Sequence, residues 1–178
     1  MPKITSVQNY DGFEGRVQRL GLESLLDEAM MALTGFDLML HEQKHANGTK
    51  GIRISIDEGF ERSGNWTKLT VGGIDWMKSS ETGAKIGVEV QVSGRSDLLA
   101  VDVLHLKTAI SLGEVDAGVI IVPDDETSKF LTDRTPNLRT ARKHVELHAS
   151  DLPIQIIAFC HDGVGEPLKK MRTNLGRK

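Results

Sequence analysis

Three short stretches of this sequence place reactive side chains at meaningful spacing. The most conspicuous is His41-Glu42-Gln43-Lys44-His45. On an α-helix this spacing sets two imidazoles on one face, with a glutamate between them to act as base on a zinc-bound water. The longer form of that motif requires a third histidine three residues after a glycine, and here Gly48 is followed at that place by Gly51. Lys44 intrudes into the motif, Asn47-Gly48 ends the segment, and His105 falls in a separate amphipathic stretch. The pattern therefore reads as a solvated helix end, with a zinc metalloprotease kept as the lesser alternative. Cys160-His161-Asp162 has the residue types of a nucleophile, a base and an orienting acid. Neighbours in an extended chain point to opposite faces, so these three cannot form a relay.

The third constellation is quieter. Asp75 ends one expected strand, and Glu89 and Gln91 alternate onto one face of the next, with Val88, Val90 and Val92 on the other. A hairpin across residues 77–84 would bring the three polar side chains together. Two carboxylates a few ångströms apart suit a hard divalent cation such as Mg²⁺, which takes oxygen ligands and retains waters. Such an ion can hold a phosphate and acidify an attacking water. An ordinary half-exposed strand would show the same alternation, so spacing alone leaves both readings open.

The elements that must position these groups follow from periodicity. Leu22, Leu25, Leu26, Ala29, Met30 and Leu33 recur at helical spacing, and Gly35 can stop that helix. A second helical piece is expected from Phe36 to Ala46. The period then becomes two: residues 52–56 (IRISI), 66–76 and 85–92 read as three strands of an antiparallel meander. Ser96 looks like the cap of an apolar helix over 97–112, stopped by Gly113. Residues 115–122 form a continuous apolar strand of the kind buried on both faces, ended by Pro123. A polar loop over 124–136, a basic helix from about Asn137 and a strand over 154–159 complete the order. The expected fold is α/β, a mixed central sheet flanked by helices on both faces.

Size and composition set the outer limits. At 178 residues, with 39% apolar and 26% charged residues, the chain suits one domain, 1–178, and has no apolar run long enough for a membrane span. Its start lacks a hydrophobic leader and its single cysteine fits a reducing compartment, so a cytoplasmic location is expected. The net charge of −3 hides two basic stretches. One carries Lys129, Arg134, Arg139, Arg142 and Lys143 against Asp133, the other Lys169, Lys170, Arg172, Arg177 and Lys178 against Glu166. With aromatics at 4%, a base-stacking single-strand binder is disfavoured.

The stretch from Ile86 to Pro123, with its Glu89-Val90-Gln91, resembles the core of type II restriction endonucleases of the PD-(D/E)xK superfamily, in the BglII/BamHI-like branch. In that branch an aspartate on one strand and Glu-x-Gln or Glu-x-Glu on the next replace the common Glu-x-Lys. The resemblance covers about residues 52–123 and implies a restriction-endonuclease-like core. By that resemblance Asp75 and Glu89 are metal ligands, the Val90 carbonyl is a third, and Gln91 takes the usual lysine position. A further acid is expected on the preceding strand: Glu58, with Asp57 and Glu61 as alternatives. The resemblance implies Mg²⁺-dependent hydrolysis of double-stranded DNA at a short specific site. It also implies a homodimer cutting a palindrome and a cognate DNA methyltransferase in the same system. Arg134, Arg139, Arg142 and Lys143 would contact phosphates, which position a protein on DNA without reading sequence. A non-cutting DNA-binding or repair protein on the same fold is the alternative.

Overall fold

The computed structural model describes residues 1–69, 73–92 and 97–168. Strand β1 (Lys3–Asn9) is followed by helices α1 (Phe13–Leu20) and α2 (Glu23–Thr34), the short strand β2 (Met39–Leu40) and a 3₁₀ turn, Lys44–Ala46. Helix α3 (Thr49–Arg62) leads to β3 (Thr67–Lys68), β4 (Trp76–Ser79) and β5 (Lys85–Val90). Helix α4 (Leu98–Ser111), β6 (Ala117–Pro123), α5 (Asp125–Ser128), α6 (Leu138–His148), β7 (Ile154–Cys160) and β8 (Gly163–Val164) complete the order. No helix among the described residues is long and apolar enough to cross a membrane.

The main sheet runs β1-β7-β6-β5-β4-β3. Its centre, β5-β6-β7, is parallel, and both flanks are antiparallel. This is the mixed sheet that the order of elements implies, and helices cover both faces. On one face Ile86, Val88, Val90, Val119 and Ile157 pack with Leu25 and Ala29 of α2 and Ile52, Ile56 and Phe60 of α3. On the other, Ile120, Val122, Ile154 and Ile156 meet Leu99, Val103 and Leu106 of α4 and Ala141 and Val145 of α6. Covered on both sides, β6 is apolar without alternation.

Three expectations need correction. Residues 52–56 form part of helix α3 and not a strand. Ile52 and Ile56 are four apart, so they share a helical face as readily as a strand face, and Phe60 continues it against the core. Packing overrides the β-branched preference here. Gly59 completes the fit, since a Cβ there would lie 2.6 Å from the Ala32 carbonyl of α2. The helix expected over Phe36–Ala46 is absent; the segment holds β2 and the 3₁₀ turn instead. Asn47 bridges it, its side chain accepting from His41 N and donating to the carbonyls of His41 and Phe130. The strand expected over 66–76 is two short strands, β3 and β4. The N-terminal β1 and α1 had no expectation attached: β1 is an edge strand with only half-buried alternate residues, while Phe13, Val17 and Leu20 of α1 do stand at helical spacing.

The helix over 98–111 and the strands at 85–90, 117–123 and 154–160 agree with the reading from periodicity. The cap expected at Ser96 and the basic tail residues from Lys169 onward lie outside the described residues. Asn137 does cap α6, in a reciprocal pair with Thr140.

Candidate active site

The β4–β5 hairpin forms as expected, with Trp76 opposite Val88 and a turn at residues 80–84. Extending that register by one residue sets Asp75 across from Glu89. The contact is reciprocal: Asp75 N donates to Glu89 Oε2 at 3.3 Å, and Val90 N donates to Asp75 Oδ2 at 2.9 Å. Glu89 is 2% exposed, and its side chain points away from the Val88/Val90 face toward α4. Gln91, also buried, donates its amide to Asp102 of α4. The structure therefore brings Asp75, Glu89, the Val90 backbone and Gln91 to the carboxyl end of β5.

A cation already sits among them. Arg53 of α3 donates Nη1 to the Val90 carbonyl at 2.8 Å and pairs Nη2 with Asp75 Oδ1 at 2.8 Å. Its Nε reaches Asp57 Oδ1 at 2.9 Å, one helical turn along α3. Asp57 in turn accepts from Lys68 Nζ and from the buried Trp76 Nε1. Burial alone would push the Asp57 carboxyl up, but Lys68, Arg53 and Trp76 outweigh it and hold it below the ordinary range. The Arg53 guanidinium is raised in the same way, because Asp75 and Asp57 outweigh the cost of burying it.

Glu89 has the opposite environment. Burial, then the charges of Asp75 and Asp102, push its carboxyl up to about 10. Its Oε1 is buried with no hydrogen-bond donor, and His105 Nδ1, 3.5 Å away, is likewise unpartnered. Burial, with Asp75 adding to it, also raises Asp102, against the pull of the Gln91 amide. Glu89, Asp102 and His105 together form a carboxylate–histidine cluster able to hold a metal ion. A buried acid kept neutral by like charges is the state expected of a site designed for a cation.

Comparison with known proteins places the chain in a family. The family model described as "Restriction endonuclease BglII/BglIII" matches residues 20–159. The chain belongs to the BglII/BglIII restriction endonuclease family. As a member it is a type II site-specific endonuclease, and its substrate is DNA. The solved structure titled "Crystal structure of free BglII" superposes with a TM-score of 0.64 at 15% identity, over 90% of this chain and 80% of that one. At that identity the likeness shows the shared fold. A search of curated proteins returned no match.

In this family member the remaining candidates fall as follows. Glu58 is exposed on α3, and Glu61 is exposed near its end, whereas Asp57 is bonded into the site. The acid was sought on a strand, and the helical geometry of α3 turns Glu58 outward while directing Asp57 toward Trp76. Arg134, Arg139, Arg142 and Lys143 are all exposed. Arg142 Nε donates to Gln8 of β1, and Arg139 lies 3.8 Å from Asp125. None of the four is bonded to Asp75, Glu89 or Asp102.

His41 precedes a single 3₁₀ turn, Lys44–Ala46, that contains His45, so no α-helix holds the two as paired ligands, and His41 Nδ1 accepts from Gln43 N. Lys44 pairs with Asp133 across the loop. Cys160, His161 and Asp162 diverge as expected: His161 contacts Thr127, and Asp162 accepts from Leu38 N. Arg53, Asp102 and His105 were missed as site residues. Asp102 and His105 had a readable signal, two polar groups three apart in the apolar first half of the helix. Arg53 had one only if its segment is read as helical, where it stands four before Asp57.

Proposed function

We propose that this endonuclease hydrolyses phosphodiesters of double-stranded DNA at a short specific site in a Mg²⁺-dependent reaction centred on Asp75, Glu89 and Gln91. The observation that carries this reading is that Asp75 Oδ1 and the Val90 carbonyl converge on one cationic group, the Arg53 guanidinium, with Glu89 Oε2 beside Asp75. That donor set is entirely oxygen, which fits a hard divalent ion. Bound by Asp75, Glu89 and the Val90 carbonyl, Mg²⁺ would supply charge stabilisation at the phosphate and an acidified water.

The protein's own groups do the positioning. Gln91 cannot take a proton near neutral pH, so its amide orients through hydrogen bonds, and Asp102 fixes that amide. Asp57, in place of the exposed Glu58, is the additional acid, and it acts by holding Arg53 against Asp75. Arg53 supplies the positive charge that Gln91 lacks, from a different element.

Arg134, Arg139, Arg142 and Lys143 make phosphate contacts. Residues 1–178 act as a single nuclease domain within a homodimer in the cytoplasm, with a methyltransferase of matching specificity protecting host DNA. The dimer is supported by an exposed apolar strip on α4: Leu98, Val101 and Leu104.

Plasmid cleavage tests the reading. Discrete Mg²⁺-dependent fragments are expected from the wild type and none from Asp75→Ala or Glu89→Ala. Full cleavage by both variants would overturn it.

A further inference from the structure

Glu89 uses its two carboxylate oxygens in different directions. Oε2 faces the Asp75 amide, while Oε1 faces α4, where Asp102 and His105 stand three residues apart. One ligand atom from each of Glu89, Asp102 and His105 lies within 4.8 Å of the others. Ions of the first transition row bind oxygen and imidazole nitrogen at roughly 2.0–2.2 Å, so ligands around one ion stand about 3 to 4.4 Å apart. The cluster needs only a small contraction to reach that spacing.

An independent observation points the same way. Glu89 is 98% buried by its 2% exposure, and its Oε1 has no donor, nor has His105 Nδ1 a partner, although the two atoms face each other at 3.5 Å. Leaving two buried polar atoms unsatisfied is costly, and such pairs persist where a third group completes them. Among the described residues no Lys or Arg is ion-paired with Glu89 or Asp102. His105 also lines a cavity of about 410 Å³ with Ile74, Met77 and Thr108, which gives water and ions a route to the cluster.

We propose that Glu89 Oε1, Asp102 and His105 form a second divalent-cation site on the α4 side of β5, selective for an imidazole-accepting transition ion such as Mn²⁺ or Co²⁺ over Mg²⁺. The imidazole sets the preference, because nitrogen suits borderline ions and Mg²⁺ demands oxygen. Glu89 then bridges two sites, and Gln91 acquires a second duty, holding the Asp102 carboxylate in place. The inference rests on the nuclease reading only for the role of Glu89 on its Asp75 side.

Co²⁺ titrated into the intact protein, followed by its visible d–d absorption and by calorimetry, tests the site. Outer-shell losses around a metal already weaken binding by roughly tenfold or more, so His105→Ala should weaken Co²⁺ binding by about a hundredfold and change the spectrum. Asp102→Asn should weaken it independently, and Asp75→Ala should retain the His105-dependent signal. Unchanged Co²⁺ affinity and spectrum in both His105→Ala and Asp102→Asn overturn the site. If Mg²⁺-dependent cleavage is abolished by Asp75→Ala while those two variants bind Co²⁺ normally, this inference fails and the nuclease reading stands. If His105 governs Co²⁺ binding but no Mg²⁺ condition yields cleavage, the site stands and the nuclease reading falls.

Discussion

Glu89 concentrates the energetic tension of the molecule. Its carboxyl is raised from the ordinary 4.5 to about 10, first by burial and then by Asp75 and Asp102. The folded chain therefore keeps a proton across that window that the unfolded chain has released. Stability falls as pH rises through the window, because the unfolded state then binds fewer protons than the folded one. Glu89→Gln keeps the shape, removes the titration and flattens this decline. We expect its thermal midpoint at pH 8 to exceed the wild type's by roughly 5 °C, a shift worth about 2 kcal/mol in a chain of this size. Thermal melts across pH 5 to 9 check it, roughly the range in which the two proteins must diverge. A variant that is more stable and cannot cut is the trade expected where charge is stored for function.

At the scale of elements, α3 and α6 divide the positive charge. Arg53 on α3 is locked to Asp57, Asp75 and Val90, within the proposed reaction centre. The exposed side of α6 carries Arg139, Arg142 and Lys143. A cation on α6 that touches a phosphate releases about 0.9 counterion. Replacing Arg142 and Lys143 with alanine should lower the slope of log binding constant against log salt by about 2, with equal losses on specific and unrelated DNA. Fluorescence anisotropy at several salt concentrations measures this, and an unchanged slope removes α6 from the DNA surface. The helical identity of α3 explains why Asp57, and not Glu58, joins the site. On this helix Asp57 stands one turn from Arg53 and bonds it, while Glu58 turns to solvent.

For the whole molecule, cutting both strands of DNA as proposed requires a second active site. Leu98, Val101 and Leu104 are each 43–46% exposed along α4, the helix whose inner side carries Asp102 and His105. Burial of that strip against a second copy would couple assembly to the site. Leu104→Glu should convert a dimer to a monomer in sedimentation velocity and turn double-strand cuts into slow nicks. Leu104→Met should leave both intact.

The sequence by itself determined the mixed sheet and its doubly covered central strand, because β6 is buried on both faces and is apolar throughout. It also determined the Asp75 and Glu89 pairing, since a period of two fixes which side chains share a face and a short hairpin fixes their opposition. The tertiary structure alone decided the rest of the site. Ile52 and Ile56 fit a strand or a helix equally, and the choice was made by the Gly59 approach to Ala32, a contact between separate elements. Arg53, Asp102 and His105 likewise reach Glu89 and Asp75 from two helices on opposite faces of the sheet. Local spacing records which residues neighbour one another along an element, and convergence across a sheet exists only after both faces have packed.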